Sequence, residues 1–262
     1  MSDVWASGAG YEPYVGRWSR RVAREFLAWL AVPAQRRWID VGSGTGALSQ
    51  TILDVAAPTQ IRGIDRSEGF VAFARQQVID ARVSFDVGDA QSLNEPSAAY
   101  DAAVSGLVLN FVPAPERMVG EMARVTRSGG IVAIYVWDYA EGMQMMRTFW
   151  DAAAALDPAE QSRDEGGRFP ICQPEPLTAL FRGVGLQDVE VRAIDIPTVF
   201  SDFDDYWLPF LGGQGPAASY TVSLSEERRS ALRDEIRSRL PMEADGSIHL
   251  NARAWAVRGT VG

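Results

Sequence analysis

The chain has 262 residues, 47% of them hydrophobic and 23% charged, which suits one large α/β domain with room for an inserted cap. A net charge of -9 without any clustered run of arginines argues against a nucleic-acid partner. All 25 basic residues are arginine, so lysine chemistry is excluded, and one cysteine, Cys172, with one histidine, His249, excludes an internal disulfide and a His/Cys zinc cluster.

Residues 1–18 are rich in glycine and aromatics, with no basic-then-apolar leader. No later run approaches the length of a bilayer span, so a soluble, cytoplasmic chain without a membrane partner is expected. Over 19–30, Val22, Phe26, Trp29 and Leu30 share one helical face, and Pro33 closes the segment. The pattern then alternates: strand 37–41, helix 45–56, strand 60–64, helix 68–80, strand 82–86, strand 101–105, and a helix over 116–125. Such steps imply right-handed parallel βαβ units. Ser128-Gly129-Gly130 reads as a turn ahead of a strand at 131–137.

After this the pattern changes. Residues 138–176 mix methionines, aromatics, acids and prolines, and read as a helical segment plus an irregular loop. A helix at 176–183, a strand at 188–194, a long aromatic segment and an amphipathic helix at 226–240 follow. The last strand, 251–260, has unlike alternating faces, as an antiparallel strand finishing the sheet does. The expected fold class is α/β: a seven-stranded Rossmann-like doubly wound sheet, its last strand antiparallel, with a helical cap from insertions. The boundaries expected are an amino-terminal lid and helix at 1–35, an α/β core at 36–137, cap insertions at 138–176 and 195–250, core again at 177–194, and a final core strand at 251–262.

The most informative stretch is Trp38-Ile39-Asp40-Val41-Gly42-Ser43-Gly44-Thr45-Gly46, a strand with an acid near its end running into a glycine turn. Glycines there allow unusual φ values and let a ligand sit against bare backbone. Gly42, Gly44 and Ala47 also satisfy the G-x-G-x-x-A spelling of a dinucleotide site, so the motif alone decides little. Two further acids, Asp65 after the second strand and Asp89 after the third, recur at near-equal spacing. In a parallel sheet all three lie along the carboxyl edge, where ligands bind.

Together with Tyr100-Asp101-Ala102-Ala103-Val104-Ser105-Gly106-Leu107 and the segment Arg124 to Gly130, this set resembles the class I S-adenosylmethionine-dependent methyltransferases over roughly 36–137. The resemblance implies S-adenosylmethionine as cofactor, Asp65 on the ribose and Asp89 on the adenine amine. Cofactor contacts then fall on Asp40, Gly42, Ser43, Gly44, Asp65, Arg66, Gly88, Asp89, Ala90, Ser105 and Leu107. Tyr11 to Ser19 looks like the segment that folds over the cofactor in small-molecule members of the family, which adds Tyr14, Arg17 and Trp18. The plainer account is that Tyr14 and Trp18 staple a helix start.

A methyl on a positive sulfur leaves readily, so alignment can supply much of the rate and no conspicuous catalytic residue is required. The segment after the fourth strand, Leu107 to Pro113, lacks the Asn/Asp-Pro-Pro-aromatic motif with which relatives grip amides or base amines. The expected acceptor is therefore a small, hydrophobic or aromatic metabolite, methylated on oxygen, nitrogen or carbon without a metal. Asn110, Trp137, Trp150 and Trp207 are candidates to line its site, though aromatics at helical spacing more often build core. His249 is a candidate general base, with a surface turn as the simpler reading. Two other functions stay open: an NAD-dependent oxidoreductase, and a protein that binds S-adenosylmethionine without catalysis.

Overall fold

The computed structural model describes residues 16–212 and 215–262. In chain order these form α1 (Arg17–Leu30), β1 (Arg37–Val41), α2 (Ala47–Ala56), β2 (Gln60–Asp65), α3 (Glu68–Gln77), β3 (Val83–Val87), β4 (Tyr100–Gly106), α4 (Pro115–Val125) and β5 (Thr126–Trp137). There follow α5 (Gln144–Leu156), α6 (Glu165–Arg168), α7 (Pro174–Gly183), β6 (Gln187–Phe200), α8 (Phe203–Trp207), α9 (Pro216–Ser223), α10 (Glu226–Arg239) and β7 (Ile248–Thr260).

All seven strands join one sheet in the order β3-β2-β1-β4-β5-β7-β6. Pairs β1/β2, β1/β4, β2/β3 and β4/β5 are parallel. The last strand lies between β5 and β6, and it is antiparallel: Val261 exchanges bonds with Gly129 and Gly130, while Arg253 receives the N–H of Asp138.

The described residues gather into two compact units. One holds Trp18–Val136, Ile171–Ile194 and Ala254–Gly262. In it β1 and β4 are covered so fully that Trp38, Ile39, Val41, Ala102, Ala103 and Val104 are buried, as strands flanked on both faces must be. α1 buries Val22, Phe26 and Leu30 at four-residue steps. Ser67 caps α3 by accepting the N–H of Phe70, and Pro115 opens α4 where a helix tolerates proline.

The other unit holds Trp137–Pro170 and Asp195–Arg253, with Gly16 and Arg17. Its core is aromatic: Phe149 stacks on Phe210 at 4.6 Å between centroids, and buried Tyr206 donates its hydroxyl to the carbonyl of Met145 at 2.8 Å. Glu165, 2% exposed, accepts from the indole N–H of Trp150. Burial pushes its carboxyl up to about 7.

Three readings of local structure need correcting. Ser128-Gly129-Gly130 is not a turn ahead of β5 but part of it, in a bulge: Tyr100 pairs with Thr126 while Ala102 pairs with Ile131, and Gly129 takes φ +71°. β6 runs to Phe200, six residues beyond expectation, even though it contains Pro197; it is an edge strand, where a missing N–H costs no ladder bond. β7 begins at Ile248, so His249 belongs to the strand itself.

Candidate functional site

The carboxyl ends of β1, β2 and β4 carry the site within one unit. β1 delivers Asp40 beside Gly63 of β2 and Val104 of β4. The chain then turns at once, and three glycines take left-handed φ values, +76° at Gly42, +51° at Gly44 and +84° at Gly46. A β-carbon on Gly42 would meet Val108 at 2.7 Å, so the loop passes too close to the segment after β4 for any side chain. Gly46 opens α2 with its N–H on the carbonyl of Ser43 at 2.8 Å.

Asp65 organises this loop. One oxygen accepts the N–H of Gly44 and the other that of Ser67, both at 2.9 Å. A carboxylate offers about four acceptor sites, so each oxygen keeps one for a ligand. Burial nonetheless leaves its carboxyl above the usual carboxylate range. Asp40 is only 1% exposed and receives the Ser49 hydroxyl on one oxygen at 2.7 Å. Burial is the main cause that raises it to about 7, and the nearby charge of Asp65 adds to this.

Several buried polar atoms here have no hydrogen-bond partner among the described residues: Asp40 Oδ1, Ser43 Oγ, Ser105 Oγ and Asn110 Nδ2. Native proteins seldom leave such groups unsatisfied, because each costs roughly 1–3 kcal/mol. All four belong to residues at or just after the carboxyl ends of β1 and β4. Leu107, between Ser105 and Asn110, holds φ +62° with its N–H on the carbonyl of Tyr135, a left-handed conformation for a residue with a β-carbon.

On the third strand's side, Gly88 donates its N–H to the carbonyl of Asp65 at 3.0 Å, and Ala90 follows Asp89. Asp89 is exposed and accepts the N–H of Gln91 at 2.9 Å and its side-chain amide at 3.2 Å; these bonds hold its carboxyl below the ordinary range. Arg66 is exposed and its charge favours ionised Asp65 and Asp89.

The remaining candidates are placed as follows. Tyr14 lies outside the described residues. Arg17 pairs with Asp205 at 2.7 Å and its guanidinium covers the Phe200 ring at 4.9 Å. Trp18 is buried in α1, with Arg21 over its ring. Trp137 is buried at the end of β5 and its indole N–H has no hydrogen-bond partner among the described residues. Trp150 and Trp207 sit inside the aromatic core of their unit, Trp207 parallel to Phe203 at 6.5 Å. His249 is exposed on β7 with Nε2 3.2 Å from the Ser247 hydroxyl. Sequence reasoning missed Ser49, which bonds Asp40, Val108, which lies against Gly42, and Gln91, which bonds Asp89; the first two meet their partners only in the folded sheet, whereas the Asp-x-Gln spacing of the last is a local turn signal that was passed over.

Residues 39–134 match the model of a methyltransferase domain. Among curated relatives, the trans-aconitate 2-methyltransferase of Variovorax paradoxus is 28% identical over 46% of this chain and 46% of its own length. The phosphatidylethanolamine N-methyltransferase of Cereibacter sphaeroides is 37% identical over 37% of this chain and 49% of its own. The chain thus spans about half the length of these relatives. Among solved structures, a Haemonchus contortus phosphoethanolamine N-methyltransferase in complex with S-adenosyl-L-methionine shares the fold at a TM-score of 0.57 and 16% identity, over 93% of this chain and 52% of that one. No helix among the described residues is long and apolar enough to cross a membrane.

Proposed function

We propose that the chain transfers a methyl group from S-adenosylmethionine to a small metabolite, because residues 39–134 match the model of a methyltransferase domain and lie on a seven-stranded sheet of the class I order. The observation that carries this reading is the set of unpartnered buried atoms, Asp40 Oδ1, Ser43 Oγ and Ser105 Oγ, beside a glycine loop that admits no side chain at Gly42. These groups fit a ligand with amino, carboxyl and hydroxyl functions, as an amino acid tail and a ribose supply. Asp65 keeps an acceptor site on each oxygen, which suits a pair of ribose hydroxyls, and Asp89 stands exposed after β3 as an acceptor for an amine.

When bound, S-adenosylmethionine supplies a methyl on a positively charged sulfur. The chain's part is then to hold cofactor and acceptor in line and keep water out, which can account for much of the acceleration. Asn110 Nδ2, buried and unpartnered just after β4, is suited to orient a polar group of the acceptor. The two curated relatives are named for unlike acceptors, trans-aconitate and phosphatidylethanolamine, so their names support small-molecule methylation and not one acceptor. Support for a hydrophobic or aromatic acceptor is compositional only, because Met143, Met146, Phe149, Phe200, Tyr206 and Phe210 are all buried in the structure.

The test is a screen of phenols, carboxylic acids and amines with methyl-labelled S-adenosylmethionine. Label should appear in one acceptor class and vanish with Asp65→Ala. A protein that binds the cofactor but labels nothing in a broad panel is a binder and not an enzyme.

A further inference from the structure

Asp40 is held unlike the other acids of the site. Asp65 takes a backbone N–H on each oxygen, and Asp89 takes two donors from Gln91 in an exposed position. Asp40 is 1% exposed, and the donors it has belong to one residue of α2: the Ser49 hydroxyl at 2.7 Å and, more weakly, the Ser49 backbone N–H. Its Oδ1 has no hydrogen-bond partner among the described residues. Among the described residues, the elements packed against it bring no cationic side chain, and the only positive contribution is the partial charge of the N–H groups in the first turn of α2. β2 contributes Gly63 alongside and Asp65, whose charge opposes ionisation; β4 contributes Val104; α2 contributes Ser49.

A carboxylate in that position is desolvated, has no cationic side chain as partner and faces a second acid, and this outweighs the partial charge of the α2 N-terminus, so the empty site favours the neutral carboxyl. A ligand carrying positive charge reverses the balance, because it attracts the ionised form only. We propose that Asp40 gives up its proton when the site takes up S-adenosylmethionine, so that capture of the cofactor is coupled to release of a proton to solvent. The O–H bond of the carboxyl breaks, the electron pair stays on the carboxylate, and no other group is oxidised, reduced or transferred. This inference rests on the reading of the loop as the cofactor site. Burial, with Asp65 adding to it, sets the empty-site carboxyl at about 7, so the effect falls in the working range of pH.

Two titrations of the full chain test it. In calorimetry at pH 7, the heat of S-adenosylmethionine binding should vary with the ionisation enthalpy of the buffer, with about half a proton released per site. Across pH 6 to 8 the affinity should rise about tenfold. The amino group of the ligand titrates near pH 8 in every variant, so Asp40→Asn isolates the contribution of Asp40. That variant should keep only the pH dependence and the small buffer-dependent heat of the ligand's amino group, without the proton release and the rise in affinity from pH 6 to 7 that Asp40 contributes. Ser49→Ala, which removes the hydroxyl donor that favours the ionised form, should move the midpoint of the affinity profile upward, and it keeps the test decisive where Asp40→Asn fails to fold. Wild-type binding with no proton release, or the same pH profile in Asp40→Asn or Ser49→Ala as in wild type, overturns the coupling and leaves the cofactor reading intact. No binding of S-adenosylmethionine at any pH overturns both.

Discussion

Asp65 shows how one side chain can fasten a loop and still offer acceptor sites to a ligand. Its two oxygens fasten Gly44 and Ser67, and each retains one acceptor site. Asp65→Ala therefore removes a charged acceptor as well as the anchor of the loop, and should weaken S-adenosylmethionine binding by at least about tenfold, read by calorimetry. Unchanged affinity would place the ribose elsewhere. His249 gives the opposite expectation. It lies exposed on β7 against Ser247, so His249→Ala should leave the rate of methyl transfer within about twofold of wild type, since a positioned general base contributes far more than that. The placement of Asp40, Gly42 and Asp65 at neighbouring strand ends was legible in sequence because strand, acid and glycines are consecutive or end neighbouring strands. Ser49 and Val108 were not, because nothing in a sequence marks a serine that will meet an acid nine residues earlier.

Among elements, the turn from β1 into α2 is the most constrained. Gly42 combines φ +76° with a 2.7 Å approach of Val108 to any added β-carbon. Gly42→Ala should thus destabilise the protein by about 1–3 kcal/mol and abolish cofactor binding, measured by denaturant melts and calorimetry. A variant as stable as wild type would mean that the segment after β4 yields easily. Element boundaries were legible wherever one period dominated, as in α1 and β1. They failed in β6 and β5. The strand expected at 188–194 runs on to Phe200, where Ile194, Ile196, Thr198 and Phe200 alternate with exposed neighbours as a half-buried strand requires. Gly129 and Gly130 suggested a turn and instead make a bulge.

At the scale of the whole molecule, two buried carboxyls leave a mark on stability. Asp40 and Glu165 sit near 7 in the folded chain, against 3.8 and 4.5 as their ordinary values. Between those limits the folded state binds more protons than the unfolded one, so the stabilising contribution is complete below about pH 4 and is lost as pH rises through 7. From these two groups the ligand-free protein should lose stability on going from pH 5 to pH 7.5, by an amount on the order of a few kcal/mol. Glu165→Gln should flatten part of that slope without altering cofactor affinity, and a slope unchanged by this variant would remove Glu165 from the account. The parallel core was legible in sequence, because its βα units repeat one pattern. The second unit's aromatic core was not, since Phe149, Tyr206 and Phe210 meet only after distant segments fold together.

Calorimetric titration of the purified chain with S-adenosylmethionine, S-adenosylhomocysteine and NADH reaches the central claim most directly. The predicted result is saturable binding of the first two, lost in Asp65→Ala, and no heat from NADH. At saturating concentrations the same two ligands should raise the melting temperature by about 5 °C or more. Binding of NADH alone, or of none of the three, would contradict the assignment of the Asp40 to Gly46 loop as a methyl-donor site.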